Sequence, residues 1–168
     1  MQTVIDLRRA VDVVLSRPGV DPKRIGFVGH SFGATWGGVL AGVEKRIKAY
    51  VLMAGLPDIA DFSKTGSPQR DEMNEMARKQ FGEEKIKNYV AMISAIAPYR
   101  FIGHAPPATV FMQFAEKDDF ISPKVAKQYY DAASQPKVEK WYYCGHELNE
   151  PKALADRVDW LKEQLGMR

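Results

Sequence analysis

Apolar and polar positions along the chain alternate between two rhythms, helical spacing and short unbroken apolar runs, and their order lays out a fold. Val4, Leu7, Val11 and Val14 share one helical face over residues 3 to 16, and Arg17-Pro18-Gly19 ends that helix. After a turn at Asp21-Pro22, Arg24 to Gly29 is short and almost wholly apolar, the pattern of a parallel strand buried on both faces. Phe32 to Val43 reads as a helix whose small residues (Gly33, Ala34, Gly37, Gly38, Ala41, Gly42) permit close packing on a sheet. Ile47 to Met53 is a second buried strand.

The rhythm then breaks. Gly55 to Gly66 reads as loop, with Pro57, Asp58, Asp61 and Gly66 as turn formers. Pro68 to Phe81 and Glu83 to Ala95 are helical stretches joined at Gly82, the first carrying Met73 and Met76. In the second, Ile86, Tyr89, Val90 and Ile93 recur at helical spacing. This helical insertion, about residues 56–96, is expected either to form a lid-like wall over a pocket (55–97) or to pack as plain core. Ala108 to Ala115 is a third strand, followed by the acidic turn Glu116-Lys117-Asp118-Asp119. Ser122 and Pro123 open a helix through Ala133 as N-cap and first-turn proline. Val138 to Tyr143 is a fourth strand, Gly145-His146 follows it directly, and a last helix runs from about Pro151 to Leu165 with Leu154, Val158, Leu161 and Leu165 on one stripe. Together these predict an α/β fold: a parallel sheet of about four strands flanked by helices, with residues 1–168 as a single domain.

Composition narrows the function. With 168 residues, 45% hydrophobic and 27% charged, the chain is long enough for a real core and reads as globular. The net charge of +3 is spread along the chain, with no basic block or aromatic-interleaved patch, so no nucleic-acid partner is expected. One cysteine, Cys144, leaves no internal disulfide and fits a reducing compartment. No apolar stretch is long enough to cross a bilayer and the N-terminus has no signal-peptide pattern, so the expectation is a cytoplasmic protein without a membrane partner. Three scattered histidines and a lone cysteine give no metal-ligand spacing, and no G-x-G-x-x-G or Walker pattern appears. No metal and no cofactor are expected.

The stretch with the sharpest chemistry is Gly29-His30-Ser31-Phe32-Gly33, entered by a strand and left by a helix. That is G-x-S-x-G in the context of a nucleophile elbow. Gly29 and Gly33 are expected to flank Ser31 because so tight a turn leaves no room for Cβ atoms. The turn presents the Ser31 hydroxyl at the end of the sheet and aims the backbone N–H of Phe32 at an oxyanion forming there. Chemistry in such sheets lies beyond the carboxyl ends of the strands. Those ends offer Ser31, then Asp118 and Asp119, then His146: nucleophile, acid and base in a known chain order. A serine hydroxyl needs an imidazole to take its proton, and the imidazole needs a carboxylate to fix its tautomer. His30 is expected to point elsewhere in a structural role, and His104 precedes a strand instead of following one. Either aspartate is a candidate acid.

Val20-Asp21-Pro22-Lys23-Arg24-Ile25-Gly26-Phe27-Val28-Gly29-His30-Ser31-Phe32-Gly33 resembles the α/β-hydrolase superfamily, in its dienelactone-hydrolase and acyl-peptidase-like esterase branch. Phe114 to Pro123 is similar to that family's acid turn, and Tyr143-Cys144-Gly145-His146 with the helix through Trp160-Leu161 to its histidine loop. The resemblance implies Asp118 as the acid, with Asp119 second, and a truncated α/β-hydrolase fold. The family's fold begins with several strands before the elbow strand, where this chain has one helix. The loop supplying the second oxyanion N–H belongs to that missing part. The elbow strand would then be an unpaired apolar edge, so a homodimer through the elbow-strand side is expected. The leading functional expectation is a serine hydrolase that cleaves small carboxylic esters through an acyl-enzyme on Ser31. A catalytically weak or inactive remnant that binds or oligomerises is the alternative, and a peptidase a subordinate one.

Overall fold

Four strands lie side by side in chain order, β1 (Gly26–His30), β2 (Ala49–Met53), β3 (Thr109–Ala115) and β4 (Lys137–Tyr142), every neighbouring pair parallel. The computed structural model describes residues 2–60 and 68–167. Its helices are α1 (Gln2–Leu15), α2 (Phe32–Val43), α3 (Pro68–Phe81), α4 (Glu83–Ser94), α5 (Pro123–Ala132) and α6 (Pro151–Gln164). The four-stranded parallel sheet flanked by helices is the architecture read from the apolar runs. The loop expected over Gly55 to Gly66 can be followed only to residue 60; Asp61 and Gly66 lie outside the described residues. Two 3-10 turns, Pro98–Arg100 and Ile102–His104, fill the stretch before β3 for which the sequence pattern offered no element.

Residue alternation assigns the two faces of the sheet. Phe27 and Tyr50 stack at 5.6 Å on the α2 side, where a Cβ on Gly37 would stand 2.6 Å from Phe27 and 2.7 Å from Leu52. The absent side chain at Gly37 is therefore what lets α2 lie against β1 and β2. Gly42 does the same for the 3-10 turns, since a Cβ there would come 2.5 Å from the Phe101 carbonyl oxygen. From α5, Tyr129 is fully buried and donates its hydroxyl to Ala34 O in α2 at 2.9 Å. On the opposite face α6 stacks Trp160 on Phe111 (5.4 Å) and brings Leu161 and Leu165 over Gly26.

β2 and β3 are buried along almost their whole length, as apolar parallel strands should be. β1 departs from that expectation. It is one edge of the sheet, with β4 the other; only Gly29 in it is buried, and Val28 is 51% exposed. The cause is geometric: α6 reaches Gly26 at the start of β1 and, among the described residues, no helix continues along that face.

A polar knot ties α1 to the turn between α2 and β2. Glu44 follows α2 with its side chain only 3% exposed, and its carboxylate receives Arg46 Nε at 2.7 Å, Arg46 Nη2 at 2.5 Å and Arg8 Nε at 3.4 Å. Arg46 also reaches Asp12 in α1. The Arg46 hydrogen bonds outweigh burial and hold the Glu44 carboxyl at about 2, against an ordinary 4.5. A depressed folded pKa contributes stability above the unfolded value and loses it as pH falls toward the folded one. Replacing Glu44 with Gln should therefore cost about 2 kcal/mol near pH 7, allowing for solvent around half-exposed Arg46, and less than half of that near pH 3. Urea unfolding at the two pH values measures this, and an equal loss at both would contradict it.

Candidate active site

The carboxyl ends of β1, β3 and β4 meet at one place, and the β1 end is the most constrained. A Cβ on Gly29 would stand 2.6 Å from the carbonyl carbon and oxygen of Gly33, so the strand can turn into α2 only with glycine there. Gly33 itself has open space where a Cβ would go. The tight approach expected at both flanking glycines is thus required at Gly29 alone, because the crowding atoms are Gly33's own backbone. Between them Ser31 adopts φ 53°, ψ −109°, a left-handed backbone that costs a non-glycine residue about 1–3 kcal/mol. Its N–H donates to Met53 O at 2.7 Å, and its carbonyl accepts both Thr35 N (2.9 Å) and Thr35 Oγ1 (3.0 Å).

That backbone has a chemical consequence. Serine at a helix N-cap ordinarily turns its hydroxyl onto the first-turn N–H groups. Ser31 caps α2 without any such bond; its Oγ lies 2.8 Å from His146 Nε2 instead. His146 Nδ1 is 2.9 Å from both carboxylate oxygens of Asp118, so that nitrogen carries the proton and Nε2 is left to accept from Ser31. The Asp118 side chain is 2% exposed, and its Oδ1 also accepts the N–H groups of Phe120 (2.8 Å) and Ile121 (2.9 Å). Of the two candidate acids Asp118 faces His146; Asp119 points to solvent. His104 lies at the far end of β3, exposed, its carbonyl taken by Lys45.

Phe32 N–H opens α2 beside Ser31, among the first-turn donors that a helix leaves without an internal partner. The loop leaving β2 is close by, but two of its donors are occupied. Ala54 N–H goes to Gln113 O (2.9 Å) and Leu56 N–H to Thr35 Oγ1 (3.0 Å). Above Ser31 and His146 opens a cavity of about 520 Å³, walled mainly by Phe32, Leu56, Ile59, Phe120 and Ile121. Met73 of α3 and Tyr89 of α4 complete it, so the insertion forms part of the wall. None of the described residues lining it carries a fixed charge.

Three residues of the site escaped the sequence reading. His30 does not point elsewhere: its Nε2 donates to the carbonyl of His146 at 2.7 Å, and the two rings are 5.1 Å apart. No local pattern signals that contact, since its partner lies 116 residues away. Arg157 reaches back from α6 to donate to Leu148 O at 2.9 Å, and burial pulls its pKa below the ordinary arginine value. Thr35 could have been found, one helical turn after Ser31. Cys144 sits two residues before His146, and burial raises its thiol pKa, the setting of an unreactive sulfur. Among the described residues there is no cluster of groups able to hold a metal ion, and no helix is long and apolar enough to cross a membrane.

Solved structures share this architecture. An acetyl xylan esterase from Paenibacillus sp. R4 superposes with a TM-score of 0.81 at 23% identity, over 97% of this chain and 52% of that one. The 2,6-dihydroxy-pseudo-oxynicotine hydrolase gives 0.78 at 17%, over 96% of this chain and 46% of that one. A puromycin-hydrolyzing peptidase of Mycobacterium tuberculosis gives 0.77 at 15%, over 98% and 25%. At such identities the likeness is one of fold, the α/β-hydrolase fold that the elbow and histidine loop resemble. The chain spans about half the length of the first two and a quarter of the third. No curated protein matches the sequence. The family described as BAAT / Acyl-CoA thioester hydrolase C terminal matches residues 7–104, from within α1 through the second 3-10 turn. With more than half of its length matched, the chain belongs to that family.

Proposed function

We propose that this chain carries the proton-transfer apparatus of a serine hydrolase that cleaves small carboxylic esters, with Ser31, His146 and Asp118 as its catalytic triad. The observation that supports it most directly is the turning of the Ser31 hydroxyl from its helix onto His146 Nε2, 2.8 Å away. Ser31 Oγ attacks the acyl carbon as its proton passes to His146 Nε2. Asp118 stabilises the resulting imidazolium, and Phe32 N–H faces the oxyanion. His146 then protonates the departing alcohol, leaving an acyl group on Ser31. A water molecule, deprotonated by His146, attacks that acyl group and releases the carboxylic acid. The uncharged cavity suits an apolar acyl group, with the α3–α4 pair as its outer wall. A thioester, the substrate named in the family's description, follows the same path with a thiol leaving. The peptidase reading finds no charged group in the described lining to recognise a peptide terminus.

Turnover of a short-chain p-nitrophenyl ester is expected for the wild-type chain and not for Ser31→Ala. Asp118→Asn should lose about two to four orders of magnitude in kcat through the wrong His146 tautomer, while Asp119→Asn stays within about twofold. Equal rates for wild type and Ser31→Ala would remove the hydrolase reading. The second reading, a catalytically silent module, would take its place; the open β1 edge and the single assigned oxyanion donor favour it.

That edge also supports a proposal about assembly. A second copy of the chain pairs along β1 and covers Val28, in a cytoplasmic setting that suits the unpaired Cys144. The small-molecule ester is then shared by a homodimer whose partner subunit approaches the site from the β1 side. Sedimentation velocity at micromolar concentration should show a dimer for the wild type and a monomer for Val28→Lys. A stable, soluble wild-type monomer would rule the dimer out.

A further inference from the structure

We infer that His30 is a positioning residue that holds the His146 loop in register with Ser31, an inference that rests on the hydrolase reading above. The two reacting side chains stand on opposite edges of the sheet. Ser31 follows β1 and His146 follows β4, with β2 and β3 between them, a span of about 14 Å at ordinary strand spacing. Among the described residues, nothing in the ladder of backbone hydrogen bonds joins those edges directly. His30, the last residue of β1, does: its Nε2 is 2.7 Å from the carbonyl oxygen of His146 itself. Because the partner is a carbonyl, Nε2 carries the proton and donates. The rings lie 5.1 Å apart and tilted by 52°, so His30 also limits how far the His146 ring can swing away from Ser31.

The other anchors of the loop act elsewhere. Arg157 holds Leu148 O, and Lys117 N–H holds Cys144 O at 3.1 Å; both tie the loop to elements beside it, α6 and the acid turn. Among the described residues, only the His30 bond refers the backbone position of His146 to the strand that presents the nucleophile. Asp118 sets which His146 nitrogen is protonated, and Phe120 packs on the ring at 4.9 Å; His30 fixes the backbone that carries it.

The test compares wild type, His30→Leu and His30→Gln, with Ser31→Ala as the blank. Glutamine places an N–H at the same number of bonds from Cα as histidine Nε2, whereas leucine has no donor. With a short-chain p-nitrophenyl ester, His30→Leu should lower kcat by about ten- to a hundredfold with KM within about twofold, the signature of misplacement and not of lost binding. His30→Gln should recover most of that loss. A wild-type kcat in His30→Leu, or a loss in His30→Gln as deep as in His30→Leu, overturns the inference. NMR of the His146 Nδ1 proton separates this inference from the hydrolase reading. Should Ser31→Ala turn over ester as fast as wild type, that resonance decides alone. Sharp signals in wild type and His30→Gln with a broadened one in His30→Leu uphold the positioning role, and an unchanged signal in His30→Leu refutes it.

Discussion

A Cβ on Gly29 would stand 2.6 Å from the backbone of Gly33, and the rest of the site depends on that close packing. Only a strand that turns into a helix this sharply can hold Ser31 at φ 53°. The strain is offset locally. Met53 O receives the Ser31 N–H, and Thr35 grips the Ser31 carbonyl with both its N–H and its hydroxyl. The same Thr35 hydroxyl then accepts Leu56 N–H, so the elbow and the floor of the cavity are held by one side chain. A serine in ordinary N-cap geometry would give its hydroxyl to the helix. Here the strained backbone leaves it for His146.

Much of this was legible in the sequence for a specific reason: elements and motif reinforce each other. The apolar runs place four parallel strands, and a parallel sheet places its loops, so Ser31, Asp118 and His146 can be collected from the strand ends in the sequence. The choice between Asp118 and Asp119 was another matter. Adjacent residues alternate in direction, and only the turn in which Phe120 and Ile121 donate to Asp118 Oδ1 shows which one faces inward. The resemblance to the hydrolase turn pointed to Asp118, the aspartate that lies against His146 here; spacing alone left the two open. His30 and Arg157 lay beyond reach because their partners are backbone carbonyls in the histidine loop, and a carbonyl carries no sequence signature. The burial of β1 was misread for a related cause. A run's apolarity reports how a strand can be covered, and Val28 shows that coverage on one face was not supplied by the described residues.

On the proposed hydrolase reading, the site divides into two kinds of work that the fold distributes unequally. Proton transfer needs three side chains in one line, and all three stand at the carboxyl ends of strands within this chain. Charge stabilisation needs N–H donors converging on a point, and Phe32 offers one of them. The nearest further candidates, Ala54 and Leu56, have given their N–H groups to Gln113 and Thr35, bonds that hold the β2 exit loop in place. Freeing either donor would loosen the wall of the cavity. Under the homodimer proposal, a segment that pairs with β1 arrives beside the Ser31 elbow, where the assigned donors are fewest.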